Sequence, residues 1–179
     1  MPSTSRPGRR RPVSVTTARS VSDLPRSLPE VIEIIERLHA GRIVFTPEAV
    51  ASARTADINS AANGCEIAWK HLHAAATVLP RLAFDESVSG AMLPSRFQVE
   101  SGCDLTMTEG KATKADPHLV SSRVLSFDGQ AWDITPHIKY GVRPPKCLRI
   151  HFALDRDKRR VVVGHCGDHL ETAGTRRNG

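Results

Sequence analysis

The chain has 179 residues, 40% of them hydrophobic and 25% charged, with a formal net charge of +6. That length suits one domain burying about two thirds of its unfolded surface. No run approaches the roughly 20 apolar residues that cross a bilayer. No apolar segment follows the charged start at Arg6 and Arg9-Arg10-Arg11 as in a secretory leader, so a cytoplasmic protein without membrane contact is expected.

Charge is uneven along the chain. Residues 1–26 hold six arginines against Asp23 alone, residues 27–103 hold six basic and nine acidic groups, and residues 104–179 hold thirteen basic and nine acidic groups. This polarity favours RNA or DNA as the partner of the two basic ends. Cys65, Cys103, Cys147 and Cys166 are widely spaced with no CxxC pair, which excludes a zinc ribbon or thioredoxin-like motif and predicts free thiols.

Residues 1–27 mix Pro, Ser, Thr and Arg without a hydrophobic period and read as a disordered basic arm, with Arg9, Arg10 and Arg11 as candidate nucleic-acid contacts. The remainder, 28–179, reads as a single α+β domain, helical over 28–80 and β-rich over 97–175. Pro29 followed by Glu30 to His39, with Gly41 beyond, predicts a first helix. Arg42 to Phe45 is β-like. Thr46-Pro47-Glu48 opens a second helix running to about Ala61. A third starts at Asn63-Gly64 and stops at Pro80, its face marked by Cys65, Ala68, Trp69, Leu72, Ala75, Ala76 and Leu79. His71 and His73 lie two apart on that helix, point in different directions and read as packing or surface residues.

From about Phe97 the pattern turns β-like. Arg123 to Phe127, Asp128-Gly129 and Gln130 to Ile134 form a hairpin signal, because the Asp-Gly pair suits the positive φ angles of a type I′ turn. Leu125, Phe127, Trp132 and Ile134 then share a face, expected toward the helices. Cys147 to Leu154 and Arg159 to His165 form a second hairpin with Arg149 and His151 on the face opposite Leu148, Ile150 and Phe152. The expected architecture is α+β, with N-terminal helices packed on a mainly antiparallel, hairpin-rich C-terminal sheet.

Three stretches could carry chemistry. Thr108 to His118 offers Lys111, Lys114, Glu109, Asp116 and His118 as phosphate-holding and proton-moving groups in a loop or short irregular helix, but matches no GxxxxGK[ST] pattern, so a nucleotide P-loop is unsupported. His137 and Lys139 follow the first hairpin at a strand end. Gly164-His165-Cys166-Gly167-Asp168-His169 ends the second hairpin, and His165, Cys166 and His169 are an alternative zinc-ligand set for a zinc-dependent hydrolase.

The run Leu148-Arg149-Ile150-His151-Phe152, an acidic-basic turn, and Arg160-Val161-Val162-Val163-Gly164-His165 resemble the closing hairpin of RelE/ParE-type toxins. The resemblance implies RNA cleavage without a metal cofactor, with Arg149 stabilising phosphate charge, His151 and His165 moving the proton, and an antitoxin-like protein as a partner. His137 joins them as a proton-transfer candidate, and Lys111, Lys114 and Lys139 as phosphate contacts, on charge and position. A non-catalytic nucleic-acid or protein-binding module is the alternative. Relatives of that kind are shorter and carry a tyrosine near the C-terminus, whereas Tyr140 here precedes the last hairpin.

Overall fold

The computed structural model describes residues 24–176, so most of the predicted arm, with Arg9, Arg10 and Arg11, lies outside the described residues. The first element, α1 (Leu28–Leu38), has Pro29 and Glu30 in its first turn and Arg37 in its last, which suits the helix dipole, and it buries Leu28, Val31, Ile32 and Ile35. A short strand, β1 (Ile43–Phe45), leads to α2 (Pro47–Thr55), capped by the Thr46 side chain on the Ala49 N–H. This helix stops earlier than its sequence suggests. Ala56 turns extended, and a 3-10 turn at Asp57–Ser60 follows, because the Asn59 side chain caps the Ala53 carbonyl and receives the Leu28 N–H.

The longest helix, α3 (Gly64–Ala83), carries Pro80 inside rather than at its end. Pro80 cannot donate to the Ala76 carbonyl, but the helix continues past it and the Phe84 N–H closes on the Pro80 carbonyl. A further correction concerns Phe97, expected to open the β region. It lies fully buried in a helix, α4 (Leu93–Ser101), which has Pro94 in its first turn and Gly102 at φ 64 as its left-handed cap.

Next come β2 (Asp104–Thr106), the short helices α5 (Lys111–Lys114) and α6 (Pro117–Ser121), and the hairpin β3 (Val124–Phe127) with β4 (Gln130–Asp133). Asp128 and Gly129 take φ 53 and 77, as a type I′ turn requires. The chain continues through β5 (His137–Arg143), β6 (Lys146–Asp155), β7 (Arg160–Gly167) and α7 (Ala173–Arg176). A five-stranded sheet has the order β1-β7-β6-β5-β2, antiparallel except where β1 runs parallel to β7, and β3 and β4 form a separate two-stranded sheet. The α+β architecture is therefore as expected. Among the described residues no helix is long and apolar enough to cross a membrane.

The larger sheet is buried on both faces. Leu148, Ile150, Phe152, Val161, Val163 and Cys166 join the helices in one core. Ala153 and Val162 form a second core with Trp132 and Ile134, packed by Val44, Leu125 and Phe127. The β3-β4 hairpin thus covers the reverse face instead of turning toward the helices as its pattern suggested. The helix-facing side is already filled by the alternate set of side chains, and the hairpin's apolar row finds its partners on the other side. Gly164 permits this approach, since a Cβ there would collide with Leu125 Cδ2 and Ile134 Cγ2.

Candidate functional site

Beside the hairpin, the reverse face of the sheet carries a row of imidazoles. His137 pairs with His151 across β5 and β6, and His151 pairs with His165 across β6 and β7. Ring centroids are 4.5 Å apart in the first pair and 5.6 Å in the second. Simple alternation along β7 would not put His165 there. Val161 and Val163 face the helices and Val162 the hairpin, so strict alternation would turn residue 165 inward. The pairing steps from His151↔His165 to Phe152↔Val163, leaving Gly164 as an extra residue on β7. This β-bulge reverses the parity, placing His165 in the row and sending Cys166 to the core.

Each imidazole has one nitrogen held by a backbone carbonyl. His137 Nδ1 meets Thr135 O at 3.0 Å, His151 Nδ1 meets Ile134 O at 3.0 Å, and His165 Nε2 meets Asp168 O at 2.7 Å. A carbonyl only accepts, so each of these nitrogens donates its proton and the other ring nitrogen of the neutral ring keeps a free lone pair. The first two carbonyls belong to the segment joining β4 to β5, so the hairpin that covers the second core also orients the histidines. Burial keeps the rings neutral. His151, 2% exposed, is held well below the usual imidazole pKa by burial and then by the adjacent His137 and His165. Burial likewise lowers His137 and His165, against the opposing pull of their carbonyl bonds.

A carboxylate completes the group. Glu109 Oε1 accepts from Arg123 Nε at 2.8 Å, and this arginine is itself only 2% exposed. Its remaining donors reach Leu119 O, Ser122 Oγ and Glu171 O, so the side chain is fixed from three directions. Donor atoms of Glu109, His137 and His151 lie within 4.8 Å of one another. Nitrogen and oxygen donors sharing a tetrahedral zinc at about 2.1 Å sit about 3.4 Å apart, so the three would have to close by at most about 1.4 Å. Neutral imidazoles whose second nitrogen donates to a carbonyl, together with a carboxylate held by a guanidinium, are a ligand set with its outer supports in place.

The other predicted residues fall into distinct positions. Arg149 occupies the same face as His151, two residues away, and is 5% exposed. Its Nη1 donates to Tyr140 O and Leu148 O, its Nη2 to Gly141 O and to His169 Nε2, and its Nε is buried without a partner. Lys139 pairs with Arg149 across the strands and is exposed, and Lys111 and Lys114 are exposed on α5. The alternative zinc set of His165, Cys166 and His169 does not assemble. Adjacent strand residues project to opposite faces, and Cys166 lies wholly in the helical core, where burial pushes its thiol far above the usual cysteine range. Sequence reading missed Glu109 as a partner of His137 and His151 and missed Arg123 altogether. The usable signal was a lone arginine opening an apolar strand.

A largely apolar cavity of ≈ 490 Å³, lined by Leu24, Pro25, Ile34, Cys65, Glu66 and Trp69, sits between α1 and α3 and contains none of these groups. No protein-family model matches the sequence, and neither a curated protein nor a solved structure shows significant similarity to the chain.

Proposed function

We propose that the chain is a metal-dependent hydrolase whose divalent ion, of the zinc class, is held by Glu109, His137 and His151. The observation that carries this reading is that His137 and His151 each offer a ring nitrogen within 4.8 Å of the other and of a Glu109 carboxylate oxygen, while their Nδ1–carbonyl bonds leave both Nε2 lone pairs free. When bound, such an ion supplies Lewis acidity toward a water and a substrate oxygen. The chain's own residues orient the donors: Thr135 and Ile134 set the two rings, and Arg123 fixes Glu109. His165, beside His151 in the row with one nitrogen on Asp168 O, would accept a proton through its other ring nitrogen.

The test is metal analysis after zinc titration of the purified protein, paired with hydrolysis of bis(4-nitrophenyl) phosphate. The reading expects about one equivalent per chain, with both uptake and hydrolysis lost in His137→Gln and His151→Gln. Uptake below a tenth of an equivalent, or uptake indifferent to both substitutions, sinks it.

RNA cleavage without a metal is the second reading, favoured by the position of Arg149 and Lys139 beside the imidazole row. It is the weaker one, because buried neutral imidazoles are poor proton donors near pH 7. Cleavage of an RNA oligonucleotide that persists in excess chelator, and disappears in His165→Ala, would reverse the order of the two.

A further inference from the structure

Charge around the imidazole row does not balance. Arg123 and Arg149 are both almost fully buried, and Glu109 is the sole carboxylate in ion-pair contact with either among the described residues. With the histidines neutral, this leaves one surplus positive charge, and a divalent ion would raise it to three. Asp168, whose charge also reaches His165 and His169, faces the Asp57 amide at 3.1 Å instead of a guanidinium. Lys139 adds a further cation on the rung beside Arg149. Uncompensated charge in a low-dielectric setting is costly, and an anion binding there gains what the protein leaves unmatched.

Arg149 marks the place. Three of its contacts are carbonyls of β5 and β6, which hold the guanidinium but carry no charge. Its fourth is His169, an exposed residue beyond the end of β7 whose ring offers only a neutral nitrogen. Arg149 Nη2 contacts the His169 ring directly, and the charges of His137 and Glu109 reach it as well. An oxyanion oxygen in its place would convert a neutral contact into a charge-assisted one. The buried Arg149 Nε, without a partner, shows that protein groups leave this cation incompletely satisfied.

We infer that the space held by His169 against Arg149, on the sheet face that carries His137 and His151, is a binding site for an oxyanion of the phosphate class, with His169 as the displaceable occupant. The inference deepens the metal-centre reading by naming the substrate class.

Calorimetric titration with inorganic phosphate, on zinc-loaded and on chelated protein, tests it. Phosphate should bind both forms, the loaded one at least about tenfold more tightly. Arg149→Lys should weaken binding by about tenfold or more while retaining a cooperative thermal transition. If that variant does not fold, His169→Ala decides, since it removes only an exposed ring. Unchanged or tighter phosphate binding in His169→Ala supports displacement, and loss of binding overturns it. A folded Arg149→Lys protein that binds phosphate like the parent also overturns it. Failure to take up zinc defeats the metal-centre reading alone. Phosphate binding to the chelated protein that responds to the two substitutions as described still sustains the anion site, and its absence overturns the site. Dimethyl phosphate in parallel separates diester from monoester recognition, and binding of either, through Arg149, supports the inference.

Discussion

Replacing Arg123 with methionine is the sharpest test of how the cluster is held together. The guanidinium makes four hydrogen bonds, to Glu109, Leu119, Ser122 and Glu171, and is almost wholly out of solvent. Methionine fills much of its volume but leaves the Glu109 carboxylate, 13% exposed, without its countercharge and takes one donor each from the Leu119 and Glu171 carbonyls. Removing one partner of a buried ion pair costs about 3–5 kcal/mol, a large part of the roughly 5–15 kcal/mol that holds a domain of this kind folded. The double substitution Arg123→Met with Glu109→Leu removes both charges and should recover at least about 1 kcal/mol relative to Arg123→Met alone. Urea unfolding of the parent, both single variants and the double variant, in chelator so that metal linkage does not contribute, gives the coupling directly. Additivity within about 0.5 kcal/mol would mean the two side chains do not act as a buried pair, and the account of Glu109 as an oriented ligand would fall with it.

Other expectations follow from single contacts. Cys166→Ala should leave zinc uptake intact and cost about 1 kcal/mol of stability, whereas uptake lost in this variant would restore the His165-Cys166-His169 set. Gly164→Ala forces a methyl into Leu125 and Ile134 and should cost about 1–3 kcal/mol or more, with a changed near-ultraviolet signal from Trp132, and an unaltered melting temperature would contradict the close packing. His71 is buried in α3 with its Nδ1 on Ile67 O, and burial, ahead of its other influences, holds its pKa below the usual imidazole value. The unfolded chain therefore binds the proton more readily than the folded one. Stability from this group is constant above about pH 6.5 and declines as pH falls from there toward the folded value. His71→Gln should flatten that part of the stability profile measured by denaturant unfolding, and an unchanged slope would show that the ring does not contribute.

Local chemistry made much of the fold readable. Asp128-Gly129 announces its own turn because few residue pairs accept two positive φ angles, and Thr46-Pro47 announces a helix start because cap and first-turn proline act within a few residues. Other features depend on distant partners. Phe97 looked like the start of a strand because α4 has a weak apolar stripe, and its helix is held by Pro94, Gly102 and contact with α3. The β3-β4 hairpin has the correct face in common but the other side of the sheet as its partner, because a period of two defines which residues align and says nothing about what covers them.

The same distinction governs the imidazole row. Alternation in β6 assigns Arg149 and His151 to one face opposite Ile150 and Phe152, and the sequence carries that much without a partner strand. The neighbours of His151 depend on register, which no local pattern specifies, and the position of His165 depends on one unpaired residue at Gly164. A glycine in a valine-rich strand is a known sign of a bulge, yet sequence does not say which side chain the bulge will re-aim. Here the shift brings a third histidine beside two others and moves Cys166 to the core, so whether Gly164 is bulged out or paired decides between an all-imidazole row and a mixed nitrogen and sulfur set. Deleting Gly164 removes the extra residue and leaves a regular ladder in which Phe152 still pairs with Val163 and His151 with His165, so His165 should stay in the row and Cys166 in the core, whereas forcing residue 164 into the ladder would turn His165 toward the helices. The bulge is thus a condition of the site's composition as much as of the hairpin's packing.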